Sequence, residues 1–220
     1  MSKHTDWTSV ARALLAKMLQ DKGCDEFDVS VVSGHEEQCP FSIAHDRRGA
    51  PYVVDASSAE VAGTLVSFSD EEGTCASAWI KKGAQSPVVG LGIDLVDISA
   101  FREQGRGDFL VHALLFDDEA RLARELHPDD APLGYACAFG AKEAAFKATS
   151  QPLRAWCQRH GRGLFFEVRD FALAADGAHE IGVRRAVDAF SALGIDRIEL
   201  GHAILGDLVF VVALALGANM

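Results

Sequence analysis

Residues 88–98 read Val-Val-Gly-Leu-Gly-Ile-Asp-Leu-Val-Asp-Ile, and the fold turns on how this stretch is built. As a strand, its alternate side chains face opposite ways. One face then carries Val89, Leu91, Ile93 and Leu95, an apolar set suited to a core. The other carries Gly90, Gly92 and Asp94, two missing side chains beside a carboxylate. Glycine inside a strand marks close approach of a ligand or of another backbone, and a carboxylate beside that gap suits a hard cation. A buried strand with a bulge, ending in an Asp that starts a turn, accounts for the same residues without a ligand.

Outward from this stretch, composition limits the possibilities. The chain has 220 residues, 49% of them hydrophobic, enough for one domain or two small ones. A formal net charge of −11 argues against nucleic acid as a partner, because that requires a basic footprint. The five cysteines, Cys24, Cys39, Cys75, Cys137 and Cys157, are scattered with no C-x-x-C spacing. They read as reduced thiols, not as a disulfide framework or a zinc site. The N-terminus lacks a basic start followed by an apolar stretch, and the longest apolar run, Leu208–Leu216, is too short to span a bilayer. A cytoplasmic protein with no membrane partner is expected.

Upstream, Trp7, Val10, Leu14 and Met18 recur at helical spacing over residues 6–20, and Phe27–Val32 alternates as a strand. Val66–Ile80 reads as a hairpin turning at Asp70–Gly73, and the polar Lys81–Pro87 divides a half at 1–86 from one at 87–220. Downstream, Phe101–Asp108 reads as a loop and Phe116–Leu126 as a helix with an acidic start. A longer helix over Pro132–Ser150 is expected to stop at Gln151-Pro152. Leu164–Leu173 reads as a strand, Arg184–Leu193 as a helix and Ile198–Leu216 as a strand or hairpin. Val66-Ser-Phe-Ser-Asp70 with its turn and strand is faintly repeated by Leu200-Gly-His-Ala-Ile204 with its own. That repeat suggests a duplicated α+β unit packed as a pseudo-dimer.

The long helix contains Phe139-Gly-Ala-Lys-Glu-Ala-Ala-Phe-Lys-Ala148. At about 100° per residue, Tyr135, Phe139 and Phe146 form a stripe with Glu143 at its edge. Glu143 and Lys147 make an i,i+4 pair, which on a solvated face contributes only a few tenths of a kcal/mol. A glutamate turned toward the core instead requires a metal or a cationic partner.

Taken together, Gly92-x-Asp94 and Phe139-x-x-Lys142-Glu143-Ala144 resemble the signature of the 4'-phosphopantetheinyl transferase superfamily. Phe116-x-x-Glu119 and the closing hairpin resemble further parts of the small, holo-carrier-protein-synthase type. Gly49-x-Pro51-Tyr52 and Ser67-x-Ser69 resemble upstream elements of the larger type, a single-chain pseudo-dimer with one site between its halves. The resemblance implies an α+β pseudo-dimer of two similar halves that moves the phosphopantetheine arm of coenzyme A to a serine of an acyl or peptidyl carrier protein. It implies Asp94 and Glu143 as Mg2+ ligands, Glu143 as general base, and Lys142 and Lys147 as phosphate binders, Lys147 acting in catalysis too. It also implies Ser69 as a phosphate donor and Gly92 as a position leaving room for the cofactor. Three positions depart from the pattern: Asp70 stands where that family has histidine, Ala50 where it has lysine, and Ala138 where it often has arginine or another large residue. A relative that binds coenzyme A or a carrier protein without transfer is the alternative these departures raise. Arg102, Arg106, Arg121 and Arg124 are candidates for docking an acidic carrier.

Overall fold

The computed structural model describes residues 6–33, 40–47, 49–71, 73–103, 105–161, 167–175, 181–184 and 187–218. Helix α1 (Trp7–Leu19) leads into β1 (Cys24–Ser33), a short hairpin of β2 (Ser42–His45) and β3 (Pro51–Val54), and a long hairpin of β4 (Thr64–Glu71) and β5 (Thr74–Lys82). Then come β6 (Val88–Asp97), α2 (Ser99–Arg102), α3 (Arg106–Leu114), α4 (Asp117–Leu126) and α5 (Ala131–His160). A 3-10 turn (Val168–Asp170), β7 (Ala172–Ala175), β8 (Ile181–Arg184), α6 (Val187–Leu193), β9 (Arg197–Leu205) and β10 (Leu208–Leu216) complete the chain.

Two antiparallel three-stranded sheets carry the architecture, ordered β1-β5-β4 and β6-β10-β9. Both place the return strand of a hairpin at the centre. The two hairpins share a register: Val66 and Leu200 each lie five residues before the last pair of their hairpin, Glu71↔Thr74 and Leu205↔Leu208. The likeness is confined to the sheets. The segment between β6 and β9 supplies α2 to α6, whereas that between β1 and β4 supplies, among the described residues, only the β2–β3 hairpin.

The central strand β10 is buried throughout. Val209, Val211, Ala213 and Ala215 face the core under α5, and Leu208, Phe210, Val212, Leu214 and Leu216 face the core shared with α1, β1 and β5. Strand β6 divides in the same way, with Leu91, Ile93 and Leu95 toward the second core. Val89 does not join them; a register shift at Ala215/Leu216 brings Val88 into that core and leaves Val89 against the other.

The glycine face of β6 is where α5 lies. A Cβ on Gly92 would come within 1.9 Å of the Ala144 carbonyl oxygen, and one on Gly90 within 1.8 Å of that of Ala148. The gap is thus filled by another backbone, and the expected room for a cofactor over Gly92 is occupied by the helix. Pro152 does not end α5, which runs on to a left-handed Gly161. A proline inside a helix leaves the carbonyl four residues back without its N–H partner. Here that carbonyl is Ala148, lying on Gly90, and the turns beyond are held by burying Leu153 and Trp156.

Other expectations shift for local reasons. The buried face of α1 is Ala11, Leu15 and Leu19, with Trp7, Leu14 and Met18 flanking it. Residues 101–108 are mostly helical, in α2 and α3, because Ala100 and Phe101 bury an apolar side. Arg184 belongs to β8, not to the following helix. Of the strand expected over 164–173, residues 164–166 lie outside the described residues, and β7 begins only at Ala172. No helix among the described residues is long and apolar enough to cross a membrane.

Because the atoms facing Gly92 are backbone, neither element can yield by a rotamer change. Gly92→Ala is expected to destabilise the fold by about 3 kcal/mol or more, the upper range for overpacking, measured as a lower midpoint in urea denaturation.

Candidate functional site

The two sheets meet at β4 and β6 through side chains. Ser67 Oγ accepts the Ile93 N–H at 3.0 Å and Ser69 Oγ accepts that of Leu95 at 3.1 Å. Gln151, on α5, donates to the Val66 carbonyl at 2.8 Å and accepts the Leu91 N–H at 3.3 Å. Sequence reading took Gln151 as the end of a helix and missed this bridge. Farther along α5, the Arg154 guanidinium pairs with Glu60 and lies 3.7 Å above the Tyr52 ring, so the tyrosine of the upstream motif also contacts α5.

At this seam the chain collects four of its predicted residues. Ser69 Oγ donates to Asp94 Oδ1 at 2.9 Å, and Lys147 Nζ donates to the same oxygen at 2.7 Å. Lys147 Nζ also lies 3.3 Å from Ser69 Oγ, so the hydroxyl donates once and accepts twice. Glu143 stands one helical turn before Lys147, near enough to Asp94 for the two charges to oppose each other. Their juxtaposition follows from the α5–β6 contact, because Ala144 and Ala148, which touch the glycines, are the next residues after Glu143 and Lys147.

Electrostatically the site carries excess negative charge. Burial pushes the Asp94 carboxyl above its ordinary value, and Lys147 with the Ser69 and Leu95 hydrogen bonds draws it back only in part. Burial and then the Asp94 charge push Glu143 up as well, against a smaller opposing effect of Lys147. Asp70 is exposed at the end of β4, next to Ser69, and Ala50 is half-buried before β3.

Residues 90–196 match the family model of the 4'-phosphopantetheinyl transferase superfamily. This segment is a 4'-phosphopantetheinyl transferase superfamily domain. The transferase domain holds Asp94, Glu143 and Lys147, while Ser69 reaches it from outside the matched segment. Among solved structures, the chain is similar to a holo-ACP-synthase from Plasmodium yoelii at 18% identity, covering 60% of this chain and 97% of that one, with a TM-score of 0.43. It is also similar to the acyl carrier protein synthase of Mycobacterium tuberculosis at 26% identity, covering 59% and 98%, with a TM-score of 0.41. A third is the holo-[acyl-carrier-protein] synthase of Helicobacter pylori, in complex with coenzyme A, at 17% identity, covering 57% and 98%, with a TM-score of 0.43. No curated protein matches the sequence.

Lys142 does not join the other predicted residues of this segment. It is 0% exposed and pairs with the 1% exposed Glu119 at 2.8 Å, its ammonium 4.8 Å from the centre of the Phe116 ring. Glu119 in turn accepts the Phe116 N–H at 2.8 Å and the Leu173 N–H at 2.7 Å. One residue's step around α5 turns Lys142 toward α4 and away from Asp94. The phosphate role expected for it is replaced by a structural one, tying α4, α5 and β7 together. Phe116-x-x-Glu119 was the sequence signal for this partner, as a motif without an assigned role.

Two outcomes follow from these environments. Breaking a buried pair by removing one partner costs about 3–5 kcal/mol, so Lys142→Met is expected to lose stability of that order in chemical denaturation. For Asp94 and Glu143, a raised folded-state value means the native state binds protons more tightly than the unfolded one. Their contribution to stability is therefore present below the ordinary carboxylate range, about 4, and lost as pH rises through the raised values. Thermal unfolding of Glu143→Gln without divalent cations is expected to show a smaller decline over that range and a higher midpoint than wild type at neutral pH.

Proposed function

We propose that this chain transfers the phosphopantetheine arm of coenzyme A to a serine hydroxyl of an acyl or peptidyl carrier protein, with Mg2+, in the cytoplasm. The observation that carries the reading is the convergence of Asp94, Glu143 and Lys147 from the transferase domain with Ser69 from the preceding half. The halves, divided near residues 86 and 87, act as a single-chain pseudo-dimer with one site at the β4–β6 seam. The equivalent place in the second hairpin has Gly201 and Ala203 instead of Ser67 and Ser69, and Gly201 lies under Met18 and Leu14 of α1. A helix therefore covers what would be the second site.

The donor set fits a divalent cation of the hard, oxygen-liganded kind. Two carboxylates, Asp94 held above its ordinary value by burial and Glu143 by burial and the Asp94 charge, face one lysine, and a dication relieves that imbalance. Asp94 and Glu143 would hold Mg2+, with water completing its shell, and the ion would neutralise the pyrophosphate. Lys147, whose side chain is 29% exposed, can turn one of its N–H groups to a phosphate oxygen and stabilise charge on the departing nucleotide half. Ser69, at the rim of the same cluster, orients Lys147 and offers its hydroxyl to the pyrophosphate. Glu143 accepts the proton of the incoming serine, directly or through one water, and its raised value makes it a stronger base than an ordinary carboxylate. The serine oxygen forms the new bond to phosphorus as the bond to the leaving nucleotide breaks.

An acidic carrier would dock on the face of α2 to α4. Phe109 and Phe116 are 69% and 51% exposed there. Of the nearby arginines, Arg102 pairs with Asp130, Arg106 with Glu103 and Arg121 with Glu125, exposed pairs that a carrier carboxylate can replace at little cost.

The second reading, a relative that binds without transfer, rests on exposed Asp70 beside Ser69, where its charge would oppose the pyrophosphate. Incubation of coenzyme A and Mg2+ with a panel of apo-carrier proteins, followed by intact-mass measurement, separates the two. Transfer by wild type, reduced at least about 100-fold in Glu143→Gln as for loss of a general base, is the expected result. Transfer only by Asp70→His would establish the second reading, and no transfer by either would overturn the first.

A further inference from the structure

Cysteine spacing along the chain gives no metal motif, yet the fold brings one cysteine and two histidines from three separate elements to one place. The ligand atoms of His127, Cys137 and His202 all lie within 4.8 Å of one another. We propose that these three residues form a binding site for a borderline-soft divalent metal of the zinc type, separate from the carboxylate site. Cys137 and Glu143 share α5 but are six residues apart, which sets them roughly 120° apart around the helix.

Each ligand sits on a fixed backbone. His127 terminates α4, its N–H bonded to the Ala123 carbonyl at 3.2 Å and its own carbonyl accepting from Asp130 at 3.2 Å. Cys137 is buried on α5, and His202 lies on β9 opposite Val211 of β10. The two imidazoles stand edge to face with centroids 6.2 Å apart. A tetrahedral zinc ion with Zn–S of about 2.3 Å and Zn–N of about 2.0–2.1 Å separates its ligand atoms by roughly 3.3–3.7 Å. Closing from the observed separations takes about an ångström, within reach of a χ rotation at the exposed His202. A hydrophobic thiol packed beside a histidine pair would explain each contact singly. It supplies no reason for two imidazoles and a thiol from three separate elements to bring their ligand atoms within 4.8 Å of one another, between the buried Cys137 and the exposed His202.

The donors also decide which cation enters. Thiolate and imidazole select zinc over magnesium, which prefers oxygen, so the two sites of this chain sort two metals by ligand chemistry. On binding, a sulfur–metal bond forms and the Cys137 proton leaves to solvent. Asp130, beside this cluster, keeps its carboxylate on Arg102 at 2.8 Å and on the Leu133 N–H at 3.3 Å, leaving the fourth position to water. The bound metal would staple the end of α4 and the head of α5 to β9, outside the matched sheet–helix contact at Gly92.

The test uses the full chain without a histidine tag, stripped with chelator and titrated with Co2+ as a spectroscopic stand-in. One equivalent giving a thiolate-to-cobalt charge-transfer band with the visible bands of a tetrahedral ion, displaced by Zn2+, is the expected result. The band should disappear in Cys137→Ser and persist in Glu143→Gln. His202→Asn, at an exposed strand position, should weaken Zn2+ binding by more than the roughly 10–100-fold cost of losing an outer-shell partner, with its circular dichroism unchanged. Cobalt bound without the charge-transfer band, or Zn2+ affinity unaltered in His202→Asn, would overturn the proposal.

Discussion

Backbone contact between α5 and β6 is the constraint on which the rest of this structure depends. Two strand positions without a Cβ, Gly90 and Gly92, meet the carbonyls of Ala148 and Ala144. The small-residue face continues on the helix at Gly140, where a Cβ would strike Val211 and Val96. An interface this thin brings the flanking side chains of the helix to the level of the strand. Glu143 and Lys147 consequently reach Asp94, although nearly fifty residues of chain separate the two motifs. With larger residues at the contact the helix would stand farther off, and the carboxylates would not share one lysine.

The seam between the sheets imposes a second constraint. Had β4 and β6 joined by an ordinary ladder, their backbone groups would have been used on each other and the edge closed. Ser67, Ser69 and Gln151 satisfy the β6 donors instead, as buried polar groups must be. The same Ser69 hydroxyl then points at Asp94. A device that solves a hydrogen-bonding problem between two sheets also supplies a polar group to the candidate site, so this cluster draws on both sheets.

Charge is handled in opposite ways at two places only a helical step apart. Lys142 and Glu119 are sealed from water, with every oxygen of the glutamate engaged. That pair is balanced and therefore structural. Asp94 and Glu143 remain imbalanced, held charged only at a cost in stability. Such a cost is typical of functional positions, where a site is arranged for what it binds and not for the stability of the free protein.

The sequence by itself determined the two motifs, the strand at residues 88–97, both hairpins and their faint repeat, and the helix carrying Glu143 and Lys147. These are legible because periodicity and turn residues act locally. Asp94, Ser69, Glu143 and Lys147 each stand in a motif visible in the sequence, and tertiary structure brings them together. What it decided against local signals has a common cause. Pro152 reads as a helix stop, but burial of Leu153 and Trp156 outweighs one missing hydrogen bond. Gly92 reads equally as a ligand gap or a backbone contact, and only the position of α5 chooses between them. Lys142 sits in a motif beside Glu143, yet a 100° step places it against Glu119, a partner 23 positions away. The likeness of the two halves of the sequence is confined to the hairpins and absent from the helices, because strand pairing preserves a pattern that the covering layer is free to change. Distance in space between residues remote in sequence is set by packing, and no local pattern encodes it.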